Sequence, residues 1–122
     1  MDIQDNDLIS PYGGKLVDLV VGGSERETLL SEARGLESIQ LSARSLCDLE
    51  VMATGGFSPL DRFMNKADYA AVLDQMRLAN GVVFPIPITL PVKENNYTPG
   101  QRVALRNAQN NLTAVMTVEE IY

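Results

Sequence analysis

Few residues in this chain are of a type that does chemistry, and their spacing limits what that chemistry can be. The 122 residues include no histidine and a single cysteine, Cys47. Ser-His-Asp and Cys-His catalysis and any His-ligated zinc site are therefore excluded. One cysteine also excludes an internal disulfide. Cys47 stands among Leu46, Leu49 and Val51, which predicts a buried small hydrophobe rather than a reactive thiol. Gly13-Gly14-Lys15 is the nearest approach to a phosphate loop. It lacks the following Ser/Thr, since Leu16 comes next, and it lacks the earlier glycine that such a loop requires. Asp48 and Glu50 are two residues apart on a predicted helix, about 200° around its axis, so they make a poor acid/base pair. Arg102 and Arg106 lie four apart on a predicted strand and share one face. A solvated face is the simpler reading of that pair, and an anion or partner contact is the alternative. No catalytic residue and no metal ligand is expected in this chain.

One loop stands out for its composition. Gly55-Gly56-Phe57-Ser58-Pro59-Leu60 predicts a helix stop with a glycine at positive φ, a phenylalanine plugged into the core and a proline-stiffened turn. A wall of a neighbouring domain's cleft is a second role compatible with the first. The elements that must position this loop can be read on either side of it. Gly13-Gly14 reads as a turn feeding a short strand or a docked extended segment at Lys15–Val17. Ser24 and Glu27 have the spacing of a capping box, which predicts a helix bearing Leu29, Leu30 and Ala33 on one face and stopping near Gly35. Ile39 and Leu41 alternate with Ser38 and Gln40 as in a strand. Ser42 is a candidate N-cap for a second helix. Apolar residues from Leu46 to Ala53 spread around more than one face, so that helix should be buried on two sides.

Beyond the loop, Asn65 can cap a third helix with Asp68 in its first turn. Tyr69, Val72, Leu73, Met76 and Ala79 follow helical spacing, stopped at Asn80-Gly81, and the first four should form one buried stripe. From Val82 the pattern becomes β-like. Pro85, Pro87 and Pro91 share one parity, so Ile86, Ile88 and Leu90 should supply the ladder bonds of an edge strand or of one that leaves the sheet early. A Pro99-Gly100 turn, a strand near Arg102–Arg106, an Asn110-Asn111 turn and a strand near Leu112–Ile121 complete the chain. The expected fold is α+β, with three short helices and a partly closed antiparallel β-barrel.

Length fits one compact domain, residues 1–122. A hydrophobic fraction of 45% supports a real core and argues against disorder. Ten Lys and Arg against sixteen Asp and Glu give a net charge of −6. That balance argues against nonspecific binding to nucleic acid or anionic lipid. No apolar run approaches membrane-spanning length, and MDIQDNDLIS lacks the basic and apolar regions of a signal peptide. The expected location is the cytoplasm.

Ser10-Pro11-Tyr12-Gly13-Gly14-Lys15-Leu16, Ser38-Ile39-Gln40-Leu41, Leu46-Cys47-Asp48-Leu49-Glu50 and Gly55-Gly56-Phe57-Ser58-Pro59-Leu60, in this order, resemble the N-terminal domain of the ATP sulfurylase (sulfate adenylyltransferase) family. So do Phe63-Met64, Asp68-Tyr69, Met76-Arg77-Leu78 and Pro85-Ile86-Pro87-Ile88-Thr89-Leu90. The resemblance covers about residues 9–122, and the Gly-Gly-Phe-Ser-Pro-Leu block is its most specific part. Glu37 and Arg62 depart from the proline and glycine that many members have there, and Asp61-Arg62 is similar to bacterial forms fused to an adenylylsulfate kinase.

The resemblance implies a PUA-like fold and a parent nucleotidyltransferase of sulfate assimilation. That parent would join ATP and sulfate, with Mg²⁺, to give adenylyl sulfate and pyrophosphate. The family's Gln-x-Arg-Asn-Pro and His-x-x-His motifs lie in the following domain, and neither occurs here. The catalytic domain is thus expected to be absent from this chain, with Mg-ATP and sulfate belonging to the parent and no cofactor to residues 1–122. The implied partner is the catalytic domain of the same polypeptide, packed through Gly55, Gly56, Phe57, Ser58, Pro59 and Leu60, and a homo-oligomeric parent is left open. The alternative is a free-standing PUA-like module that binds RNA.

Overall fold

A computed structural model describes residues 9–94 and 96–122; the acidic lead-in read from residues 1–8 lies outside them. The described elements, in order, are a 3-10 turn at Tyr12–Gly14, helix α1 at Gly23–Ala33, strand β1 at Ser38–Gln40, helices α2 at Ala43–Ala53 and α3 at Lys66–Gln75, and strands β2 at Arg102–Arg106 and β3 at Leu112–Thr117.

Two of the helices begin where a side chain caps them. Ser42 Oγ accepts from the Ser45 N–H at 3.1 Å, and Asn65 Oδ1 accepts from the Asp68 N–H at 2.8 Å. Each satisfies one of the N–H groups that a first turn leaves without an intrahelical partner. The capping box expected at Ser24 does not form. Helix α1 starts two residues earlier, Gly22 is its N-cap without a side-chain bond, and Ser24 lies inside the first turn. There its carbonyl accepts from the Thr28 hydroxyl at 2.9 Å.

The sheet is open and mixed, with the order β1-β2-β3. It is not the partly closed antiparallel barrel expected. β1 runs parallel to β2, with Ile39 opposite Leu105, while β3 is antiparallel to β2, with Val103 opposite Met116. The chain between β1 and β2 holds α2, α3 and the proline-rich segment, and a parallel pair requires a crossover of that kind. β2 is the central strand, with Val103, Ala104 and Leu105 all buried.

Two apolar clusters form the core. Ile39, Leu41, Val103, Leu105 and Val118 make one on a face of the sheet. Met52, Leu60, Met64, Val72, Leu78, Phe84 and Ile88 make the other beneath α2 and α3. Leu49 and Phe63 pack against both and join them.

Three further expectations give way to the packing. Helix α3 ends at Gln75, where Met76 turns left-handed at φ 54°. Val72 is buried and Tyr69 partly so, but Leu73 and Met76 are 61% and 60% exposed, so there is no single buried stripe. The early stop lets the Met76 carbonyl accept from the Phe84 N–H at 2.8 Å, which brings Phe84 into the core and leaves Leu73 outside it.

The segment Pro85–Pro91 forms no strand. Ile88 is buried and its carbonyl accepts from the Met64 N–H at 2.8 Å, whereas Ile86 is exposed. Three prolines remove too many donors for a ladder to form on one side.

Cys47 is exposed rather than buried. Helix α2 buries Ser45 and Met52 and partly buries Leu46, Asp48, Leu49, Val51 and Ala53, so its packing does reach around much of the circumference. Arg44, Cys47 and Glu50, three apart, make up the open stripe.

Candidate functional site

The Gly55–Leu60 loop follows the end of α2. Its backbone turns by bonds from the Gly55 N–H to the Met52 carbonyl, from the Gly56 N–H to the Val51 carbonyl and from the Leu60 N–H to the Phe57 carbonyl. Gly55 has φ +93°. A Cβ there would stand 2.8 Å from the Val17 carbonyl oxygen, and one on Gly56 would stand 2.5 Å from Val51 Cγ1. Both glycines are required by close approach, and Gly55 also by conformation.

What approaches Gly55 is the extended segment around Lys15–Val17. The buried Ser58 hydroxyl accepts from the Val17 N–H at 3.0 Å and lies 2.8 Å from the Gly55 carbonyl, to which it donates. Two residues on, the Leu19 N–H donates to the Ala53 carbonyl at 2.9 Å. Gly13 packs so closely on Pro59 that a Cβ would come within 2.6 Å of its Cγ. The Tyr-Gly-Gly turn and the Gly-Gly-Phe-Ser-Pro-Leu loop thus form one structural unit. Phe57 is partly buried against Phe84, edge to face at 6.2 Å, and Leu60 enters the core. Of the six residues singled out from the sequence, only Gly56 is exposed.

The outward surface beside this unit is apolar. Tyr12, Leu16, Leu73, Met76 and Val83 are all exposed. The Tyr12 hydroxyl donates to the Val83 carbonyl, Val83 bridges to Arg77, and Phe84 bonds back to Met76. These links hold the N-terminal turn, the end of α3 and the start of the proline-rich segment side by side. The sequence reading missed this surface because it assigned Leu73 and Met76 to the interior.

Three arginines are occupied within the domain. Arg102 pairs with Glu32 of α1 and donates to the Thr117 hydroxyl at 3.1 Å; Arg106 donates to Ser38 Oγ at 3.0 Å and to the Asn110 carbonyl at 3.1 Å. The shared face of the two arginines is therefore a structural lattice joining α1, β1, β3 and the hairpin turn. Hydrogen bonding from Arg102 lowers the pKa of the partly buried Glu32 carboxyl. Arg62 joins Asp61 and Glu119, at 3.0 and 2.8 Å. Asp48 is partly buried and Glu50 exposed, so they make no pair. Gly13-Gly14-Lys15 is spent on the Tyr12–Gly14 turn and its packing against Pro59. Among the described residues no group of three acidic or cysteine side chains is arranged to hold a metal ion, and no helix is long and apolar enough to cross a membrane.

An open three-stranded mixed sheet with helices packed beside it, and a glycine-rich loop that clamps its own N-terminal segment, define a small α+β domain. The chain belongs to the PUA-like domain family, whose profile matches residues 9–122. It is 44% identical over 119 residues to the sulfate adenylyltransferase of Eremothecium gossypii, a match that takes in 94% of this chain and 24% of the relative. The sulfate adenylyltransferase of Persephonella marina is 41% identical over 118 residues, 94% of this chain and 31% of the relative. Among solved structures, one described as a hexameric APS kinase from Thiobacillus denitrificans superposes with a TM-score of 0.81 at 40% identity, covering 90% of this chain and 23% of that one. The chain thus spans between about a fifth and a third of the length of these proteins.

Proposed function

We propose that this chain is the noncatalytic N-terminal domain of a sulfate adenylyltransferase, serving as scaffold and interdomain partner for a catalytic domain of the same polypeptide. The observation that carries this reading is the match itself: nearly all of the chain aligns at 44% identity with about a quarter of an enzyme of that name. The parent reaction would be ATP plus sulfate to adenylyl sulfate plus pyrophosphate. Charge stabilisation around the leaving pyrophosphate would come from the catalytic domain, since this chain supplies no histidine and a net charge of −6.

The exposed apolar surface formed by Tyr12, Leu73, Met76 and Val83 is the contact face this role needs. The Gly55–Leu60 loop acts beneath it, by fixing the turn that carries Tyr12. The likeness to a hexameric APS kinase supports a homo-oligomeric parent with a fused kinase. The test is pyrophosphate release from Mg-ATP, with and without sulfate, by the 122-residue chain and by the full-length gene product. Sulfate-dependent release by the full-length product alone is expected. Turnover by the isolated chain would refute the assignment of chemistry to another domain, and inactivity of both would refute the enzymatic reading.

A further inference from the structure

The turn after α3 carries the only Asn-Gly step in the sequence, Asn80-Gly81. Both residues are exposed, Gly81 has φ +94°, and nothing stands within 4 Å of where its Cβ would be. Such a step has a reaction of its own. The backbone nitrogen of Gly81 attacks the side-chain carbonyl carbon of Asn80. An N–C bond forms, the side-chain nitrogen leaves as ammonia, and a cyclic succinimide remains. Water then opens the ring at one carbonyl or the other, giving aspartate or isoaspartate. Nothing is oxidised or reduced. Glycine favours the attack because it puts no side chain in the way.

The fold restrains both reacting groups. The Gly81 N–H, whose proton must leave, donates to the Leu78 carbonyl at 2.9 Å, and Asn80 Oδ1 accepts from the Val82 N–H at 3.0 Å. The Leu78 N–H donates to the Val82 carbonyl at 2.8 Å, the Arg77 guanidinium donates to the Gly81 carbonyl at 3.0 Å, and Arg77 bridges across to Val83. This hairpin is in turn tied down at two points. The Val83 carbonyl accepts from the Tyr12 hydroxyl, and the Phe84 N–H donates to the Met76 carbonyl. Attack on Asn80 requires the Gly81 nitrogen to give up its bond and turn toward the side chain, which the closed hairpin opposes.

We propose that Asn80-Gly81 is a self-modification site gated by this hairpin, protected while Tyr12 holds Val83 and reactive when the hairpin opens. The two products act differently on the turn. Aspartate keeps the backbone length and an oxygen that can accept from the Val82 N–H. Isoaspartate routes the chain through its own Cβ and Cγ, which adds a carbon between Leu78 and Val82. The register that sets Leu78 against Val82 and Arg77 against Val83 is then lost. With it goes the placement of Tyr12, Met76 and Val83 side by side on the exposed apolar surface. An opening that lasts long enough to react is thereby made permanent.

Mass spectrometry of the 122-residue chain, with fragmentation that separates isoaspartate from aspartate, tests the proposal. A reaction far slower than opening and closing tracks the open population. Asn80 should therefore convert at least about 10-fold faster in urea than in the folded chain. Tyr12→Phe removes the tie on Val83. It should speed conversion of the folded chain by about 2- to 10-fold and leave the rate in urea unchanged. Equal rates in urea and in buffer overturn the gate, and so does a Tyr12→Phe chain that converts at the original rate. Amide hydrogen exchange at Leu78 and Phe84 reads the consequence. It should rise at least about 10-fold in the isoaspartyl product and stay within about 2-fold in Asn80→Asp, the unrearranged product. Isoaspartyl chains whose Leu78 and Phe84 amides stay protected overturn the permanent opening.

Discussion

The Val17 N–H donates to the Ser58 hydroxyl at 3.0 Å across 41 residues of chain, and the same hydroxyl lies 2.8 Å from the Gly55 carbonyl as its donor. One buried side chain therefore ties the N-terminal segment to the loop that ends α2. Removing it would leave the buried Val17 N–H without its partner, while the Gly55 carbonyl keeps the Ser58 N–H at 3.2 Å. Ser58→Ala is expected to cost about 1–3 kcal/mol, read from urea unfolding of the 122-residue chain. An unchanged midpoint would show that the segment is not held there.

Gly55 and Gly81 offer a matched comparison, with φ of +93° and +94°. A Cβ on Gly81 meets nothing, whereas one on Gly55 meets the Val17 carbonyl oxygen at 2.8 Å. Both alanine variants carry the conformational penalty of about 1–2 kcal/mol, and only Gly55→Ala adds a backbone clash. Gly55→Ala should be the less stable of the two in thermal melts. Equal melting temperatures would remove close packing as the reason for that glycine.

Neighbouring residues on α3 should behave in opposite ways. Val72 is 2% exposed and Leu73 61%. Val72→Ala should cost on the order of 2 kcal/mol, and Leu73→Ala less than about 0.5 kcal/mol, in the isolated chain. If Leu73 lies against a catalytic domain in the full-length protein, Leu73→Asp should lower sulfate-dependent activity there while leaving the stability of the isolated chain nearly unchanged. Full activity of that variant would remove Leu73 from the proposed contact face.

Two groups have pKa values that the fold shifts, which links stability to pH. The Arg102 hydrogen bond lowers the pKa of Glu32 in the folded state. Its contribution is present above the ordinary carboxylate range and is lost as pH falls through the folded value. Burial, with Tyr69, Glu120 and Asp68 nearby, raises the pKa of Tyr122 above 10.0, so the fold favours the neutral phenol that donates to the Met64 carbonyl. That contribution is present below pH 10.0 and is lost as pH rises through the folded value. Glu32→Gln should flatten the acid limb of a stability–pH profile and Tyr122→Phe the alkaline limb. Either limb left unchanged would show that its group does not control it.

Much of the local structure was legible because its cause is local. Ser42 and Asn65 were readable as caps since each needs only a backbone N–H three residues on. The alternation at Ile39 and Leu41, the turn at Pro99-Gly100 and the strand at Arg102–Arg106 came from neighbours in sequence. Ser24 shows the limit, since the same spacing can fall one residue inside a helix that starts at Gly23. Leu73 and Met76 show a second limit: helical period says which residues share a stripe, not where the helix stops or what faces it.

Of the candidate site, the sequence marked the loop and the resemblance marked the family. The residues themselves set the absence of histidine, the acidic balance, the helix starts at Ser42 and Asn65 and the need for glycine near position 55. Each follows from composition or from contacts spanning a few residues. Only the tertiary structure decided that Ser58 binds Val17, that β1 lies parallel to β2 across some sixty residues, that Cys47 and Leu73 face outward and that β3 keeps an open edge. Those contacts join segments far apart in the chain. Closing such loops costs conformational entropy that no local pattern records, and they hold only because the whole core repays that cost at once.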